Sequence, residues 1–136
     1  MNTTLALTRT IGLIFILLGS LVHAQASDGG AGAPALVGSW GGPLVIGEDD
    51  LGLIFNFTED GGDYAATMIS DGLGIYGMPA DRVSLNGISL TVVIRRLDVE
   101  FTGTLRFDES GEELLRIDAS WFQGSEMVPV VLRPVE

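Results

Sequence analysis

The sequence has no cysteine and no lysine, and its one histidine is His23. Without cysteine there are no disulfides, no thiol nucleophiles and no cysteine-built zinc sites. The position of the histidine matters because residues 1–24 read as an export signal. Arg9 is the positive head and Ile11 to Val22 the apolar stretch. Val22-His23-Ala24 is the small-residue cleavage site, with Ala24-Gln25-Ala26 as a second candidate. The apolar stretch is short of the roughly 18–20 residues that cross a bilayer, so cleavage is expected rather than anchoring. Cleavage removes His23 and Arg9. Six arginines then face eighteen Asp and Glu, a formal charge of −12. No Ser-His-Asp or Cys-His device can be assembled from that set; carboxylates remain, but any exported acidic domain offers carboxylate pairs, and no catalytic residue, cofactor or metal site is expected. So much negative charge repels nucleic acid and anionic lipid surfaces, which makes both poor partners. The expected location is secreted or periplasmic, in a bacterial cell, with no membrane contact after cleavage.

Helical periodicity is also missing beyond Val22. What the chain has instead is a two-residue alternation. Leu97, Val99, Phe101, Gly103, Leu105 and Phe107 share one parity; Asp98, Glu100, Thr102, Thr104 and Arg106 share the other. A strand sends successive side chains to opposite faces, so this stretch has a core on one side and water on the other. That pattern suits an antiparallel sheet.

The rest of the chain repeats the theme. Gln25 to Ala35 is small and glycine-rich, a flexible leader before a domain spanning 36–136. Leu36 to Ile46 is expected to be one strand bent at its glycines. Leu51, Leu53, Phe55 and Phe57 alternate in a second strand, and Asp63 to Ser70 make a third whose inward face the pattern does not assign. Asp71 to Pro79, broken by three glycines and a proline, is expected to be a short bent strand or a loop over a barrel mouth. Arg82 to Asn86 is a strand that meets Asn86-Gly87, the sharpest hairpin signal in the chain. Ile88, Leu90, Val92 and Ile94 follow, and Arg95-Arg96 leads into the stretch at Leu97. Glu113 to Gln123 places Leu115, Ile117, Ala119 and Trp121 on one face, with Arg116 and Asp118 opposite. Met127 to Arg133 closes the set with Val128, Val130 and Leu132. The expected fold is all-β: a small antiparallel meander closing into an eight- or nine-stranded barrel, which removes exposed edges. The alternative is a two-sheet β-sandwich.

Several segments fall in a familiar order. Gly38-Ser39-Trp40-Gly41-Gly42-Pro43-Leu44 with Leu51-Gly52-Leu53-Ile54-Phe55 resembles a G-x-W-x-G-x-L…L-x-L-x-F opening. Ile69 to Pro79 resembles a D-S-P-D-Q-G-A-x-G-I-P element, with Ser70, Gly74, Gly77 and Pro79 matching and Ile69, Asp71, Gly72 and Leu73 departing. Phe101-Thr102-Gly103-Thr104-Leu105 is similar to F-x-G-x-L, and Trp121 to Arg133 to a W-x-Q-G…P-L-x-L-x-R ending. Together they resemble the small β domain found ahead of serine-hydrolase domains (α/β-hydrolase or β-lactamase-like) in some exported bacterial proteins. The resemblance implies a non-catalytic companion that acts through protein contact, here standing alone, with an exported hydrolase supplied in trans. Gly38-Ser39-Trp40 also resembles the G-x-W start of lipocalins, which implies a binder of a small apolar ligand.

Two sets of candidate residues follow. Trp40, Tyr76 and Trp121 are candidates for lining a ligand pocket; the competing role for the tryptophans is to plug a barrel core. Val93, Phe122, Met127 and Val131 face away from the apolar parity and are candidates for a partner surface, provided that they lie together. The acidic stretches Glu48-Asp49-Asp50 and Glu59-Asp60-Gly61-Gly62-Asp63 do not match a calcium loop and read as solvated turns.

Overall fold

The computed structural model describes residues 33–136. The expected export signal and residues 25–32 of the expected leader lie outside the described residues. A helical turn, α1 (Ala33–Leu36), precedes β1 (Gly38–Gly42), β2 (Val45–Ile46), β3 (Asp49–Asp50), β4 (Leu53–Asp60), β5 (Asp63–Ser70) and β6 (Ile75–Pro79). There follow β7 (Arg82–Asn86), β8 (Ser89–Ile94), a 3-10 turn (Arg95–Leu97), β9 (Val99–Phe107), β10 (Leu114–Gln123) and β11 (Glu126–Pro134).

Nine strands form one antiparallel sheet in the order β6-β5-β4-β1-β11-β10-β9-β8-β7, strongly curled into a half-barrel. The strands β2 and β3 make a separate small hairpin. A single curled sheet, rather than a two-sheet sandwich, is therefore the architecture. The first strand of the curl meets the last, since Trp40 pairs with Pro134 and Gly41 with Arg133. The two end strands, β6 and β7, are consecutive in sequence. Between them Ala80 donates its amide to the Ala66 carbonyl (2.9 Å) and Asp81 to that of Val93 (2.8 Å). The chain thus steps from one end of the sheet to the other, its two linking amides bonded to the neighbouring strands β5 and β8.

Side-chain alternation explains the curl. Leu53, Phe55 and Phe57 of β4, Ala66 and Met68 of β5, and Leu90, Val92 and Ile94 of β8 are buried on the concave face. So are Val99, Phe101 and Leu105 of β9, Ile117 and Trp121 of β10, and Val130 and Leu132 of β11. β5 therefore turns its even-numbered residues inward. The strands β4 and β9 stand four places apart in the sheet, yet the rings of Phe55 and Phe101 meet edge to face, 5.0 Å between centroids. Side chains thus reach across the concavity and fill it. Glycine at 103 serves that packing: a Cβ there would lie 2.8 Å from Ile117 Cγ2 and 3.1 Å from Ala119 Cβ.

Local details depart from the sequence pattern in several places. Leu36 to Ile46 is not one bent strand. Leu36 ends α1, where its carbonyl accepts a bond from Trp40 Nε1 (2.9 Å). Past Gly42 the chain leaves the sheet at Pro43, which has no amide to offer a ladder. Leu44 is buried, with its amide on Asp50 Oδ1 (3.1 Å) and its carbonyl accepting from Leu51 (2.8 Å). Because Leu51 serves that loop, β4 begins at Leu53. The hairpin after β7 has Gly87-Ile88 as its central pair, because Asn86 still pairs with Ser89; only Gly87 carries positive φ (62°). In β10 a register shift between Leu114 and Arg116 buries Leu114 and turns Leu115 outward. The stretch 71–79, by contrast, agrees with the expected short bent strand: a turn leads into β6, whose pairing with β5 carries a register shift.

Candidate functional site

The two tryptophans belong to the packed interior. Trp121 is 0% exposed, and its Nε1 donates to Gln123 Oε1 at 3.3 Å; Trp40 is 4% exposed. An interior ligand would have to displace these rings and the Phe55–Phe101 contact. Tyr76 is elsewhere, 73% exposed on β6 and paired through the backbone with Ile69. The three candidate ligand residues are therefore not brought to one place.

The four candidate surface residues are brought to one wall. Their outward parity puts them on the convex face of β8 to β11. Val93 pairs with Glu100, Glu100 with Phe122, and Phe122 with Met127, a single row running straight across four strands. Phe122 is 42% exposed and Met127 57%. Val131, 39% exposed, lies further along β11 opposite Asp118. Val93 and Phe122 also line a shallow depression of about 460 Å³, together with Arg95, Asp98, Glu100 and Gly124. Two members of this wall escaped the sequence reading. Pro129 is exposed between Met127 and Val131, so the outside of β11 is apolar over three successive outward positions. Glu100 sits in the middle of the apolar row, where it gives the surface a fixed negative charge. Alternation along β11 already places Pro129 outward, whereas the position of Glu100 between Val93 and Phe122 comes from register, which is not readable from one strand at a time.

A second open groove, about 610 Å³, lies over Gly41 and Gly42 beside Leu51, Ile54, Ile69 and Val135. A third depression of about 460 Å³ lies over the hydroxyl-bearing outer face of β8 to β10.

The acidic turns are occupied with their own backbone. Asp50 Oδ1 accepts from Leu44 and Gly52 (3.1 and 3.0 Å), and Glu59 Oε2 accepts from Gly62 (2.9 Å). Asp108 Oδ1 accepts from Ser110 Oγ (2.9 Å) and from the amides of Glu112 (3.1 Å) and Glu113 (3.2 Å). These carboxylates cap turns, as short acidic side chains do. The one ion-pair cluster among the described residues is on the outer face. Asp118 takes Arg116 Nε on Oδ1 (2.9 Å) and Arg106 Nε on Oδ2 (3.0 Å).

Two carboxyls are held below the ordinary carboxylate range. For Asp108 the leading cause is the Glu113 amide, then the Ser110 hydroxyl; for Asp118 it is the Arg116 hydrogen bond, opposed in part by desolvation. A carboxyl whose folded value is depressed stabilises the fold above its unfolded value and loses that effect as pH falls through the folded value. Asp118→Asn is therefore expected to be less stable than the wild type at neutral pH. The gap should begin to narrow as pH falls below about 4, the unfolded carboxylate value, and close only below the depressed folded value. Urea unfolding of both proteins at a series of pH values reads this directly. A gap that persists unchanged down the series would show that the charge of Asp118 contributes nothing.

Compared with family models, curated proteins and solved structures, the chain finds no match in any of the three. The site must speak through its own chemistry.

Proposed function

We propose that this chain is an exported, non-catalytic β domain that acts through protein contact, with its partner engaging the outer wall of β10 and β11. The observation that carries the reading is the Phe122–Met127 pair, directly opposite in register and both exposed on the side of the sheet away from a filled core. Large apolar side chains that lie together on a surface, next to Pro129 and Val131, make an anchor of the kind protein interfaces use. The likeness to the domain that precedes exported serine hydrolases supports a hydrolase, supplied in trans, as that partner. The interior supports the same choice, because an apolar small molecule finds its place already taken by Trp121, Phe55 and Phe101.

Replacing Phe122 and Met127 together by serine is expected to change stability by no more than about 0.5 kcal/mol per position, since both are exposed. The same change should abolish partner retention. Immobilised wild type and double variant would be exposed to the exported protein fraction, and bound material labelled with an active-site serine probe. Labelled hydrolase held by the wild type and not by the variant is the expected result. Equal retention by both, or no labelled protein on either, would refute the proposal.

A further inference from the structure

The outer face of β8, β9 and β10 carries a second arrangement, independent of the apolar wall. Ser89 pairs with Thr104 and Thr104 with Asp118; one step along, Thr91 pairs with Thr102 and Thr102 with Ser120. Six outward positions on three strands therefore hold five hydroxyls and one carboxylate. Cross-strand neighbours on such a grid are about 4.5–5.5 Å apart at Cβ, and successive outward residues on one strand about 6.8 Å apart. All six line the same depression of about 460 Å³. Among the described residues, the side-chain hydroxyls that make hydrogen bonds are those of Ser39, Ser70 and Ser110. None of the five grid hydroxyls has a hydrogen-bond partner among the described residues.

One border of the grid is positive. Arg106 and Arg116 face each other directly across β9 and β10. Like charges in that position oppose sheet pairing. Asp118 lies between them and binds both through Nε, with a further contact from Arg116 Nη2 at 3.4 Å. One carboxylate balances one guanidinium and leaves a surplus positive charge. It also fixes the direction of both forks while most of their N–H donors stay free. Half-exposed arginines already held in place lose little further freedom on binding an oxyanion.

We propose that this face binds an acidic monosaccharide or disaccharide unit, its carboxylate on Arg106 and Arg116 and its hydroxyls on Ser89, Thr91, Thr102, Thr104 and Ser120. A simple anion would use the arginines and leave five donor-acceptor groups idle. A neutral sugar would leave the surplus charge unmatched. A polyanion is disfavoured, because the described residues carry seventeen carboxyl side chains against six arginines and repel any extended negative ligand. The depression is open to solvent, so a sugar would lie face-on over its hydroxyls with its carboxylate reaching past Asp118 to the arginines at the border.

The test is a titration of the isotope-labelled protein followed by amide NMR, with D-glucuronate, D-glucose and acetate as separate probes. Glucuronate is expected to give saturable shifts confined to 89–91, 102–106 and 116–120, at lower concentration than either glucose or acetate. Arg116→Gln should weaken glucuronate at least tenfold, about what one charge-assisted hydrogen bond supplies. Thr102→Val with Thr104→Val should weaken glucuronate and leave the acetate response as it was. The wild-type titration decides the matter even if a variant folds poorly. Absence of saturable shifts, shifts elsewhere on the surface, or an acetate response equal to that of glucuronate would overturn the proposal.

Discussion

Trp121→Ala is expected to destabilise the domain by about 3–5 kcal/mol, the range for removing a buried large aromatic side chain. Trp121 is wholly buried and sits in register between Phe101 on β9 and Val128 on β11. Deleting the indole removes its transfer energy and leaves a cavity walled by three strands whose backbones are tied by ladder hydrogen bonds. Such a wall collapses little, which places the cost high in the range. A domain of about one hundred residues has only about 5–15 kcal/mol in total, so the variant keeps a fraction of its stability. Urea unfolding measures the loss as a lower midpoint at unchanged slope. A change under about 1 kcal/mol, the typical cost of an arbitrary substitution, would mean that the indole does not fill the interior.

Gly42→Ala is expected to be nearly as damaging for a different reason. A Cβ at this position would lie 2.1 Å from the carbonyl oxygen of Val131 and 3.2 Å from its carbon. Both atoms are backbone, so no rotamer change relieves the clash. The strands that meet here, β1 and β11, are the first and last of the meander, and forcing them apart opens the curl. Overpacking costs about 1–3 kcal/mol where side chains can yield; here the upper end is the expected minimum. For a domain of this size, about 3 kcal/mol corresponds to a Tm lower by roughly 12–24 °C. Gly41→Ala is the internal control. Its Cβ would meet Val135 Cγ2 at 2.8 Å and the half-buried Ile54 Cγ1 at 3.0 Å, side chains that can shift, while the nearest backbone atom, the Leu53 oxygen, is 3.3 Å away rather than 2.1 Å. The drop should therefore be clearly smaller at 41 than at 42. The reverse order would contradict the close approach of β1 to β11.

Much of this architecture was legible from alternation. The parity of Leu97 to Phe107 places Val99, Phe101 and Leu105 inside and Glu100, Thr102, Thr104 and Arg106 outside, because a strand with one wet face has no other solution. The outward set Val93, Phe122, Met127 and Val131 was readable for the same reason. Features created between strands were not. The bulge at Leu115 exchanges inside for outside within one residue and leaves no mark on composition. The departure of the chain from the sheet after Gly42 depends on Leu44 and Asp50 finding each other across a loop. The alignment of Arg106 with Arg116 and Asp118, and the hydroxyl grid beside them, are products of register, as is the row from Val93 to Met127. Tyr76 resembled a pocket residue because its neighbours Ile75 and Met78 are apolar, but β6 turns its side chain to solvent.

An interior filled by its own side chains is what leaves the outer wall to the proposed partner. Methyl and aromatic NMR during titration with a long-chain fatty acid tests that claim most directly. The account predicts that resonances of Val92, Leu105, Ile117 and Trp121 stay where they are at every concentration below micelle formation. Saturable shifts of those four residues would contradict it, because they would place the ligand where the core is.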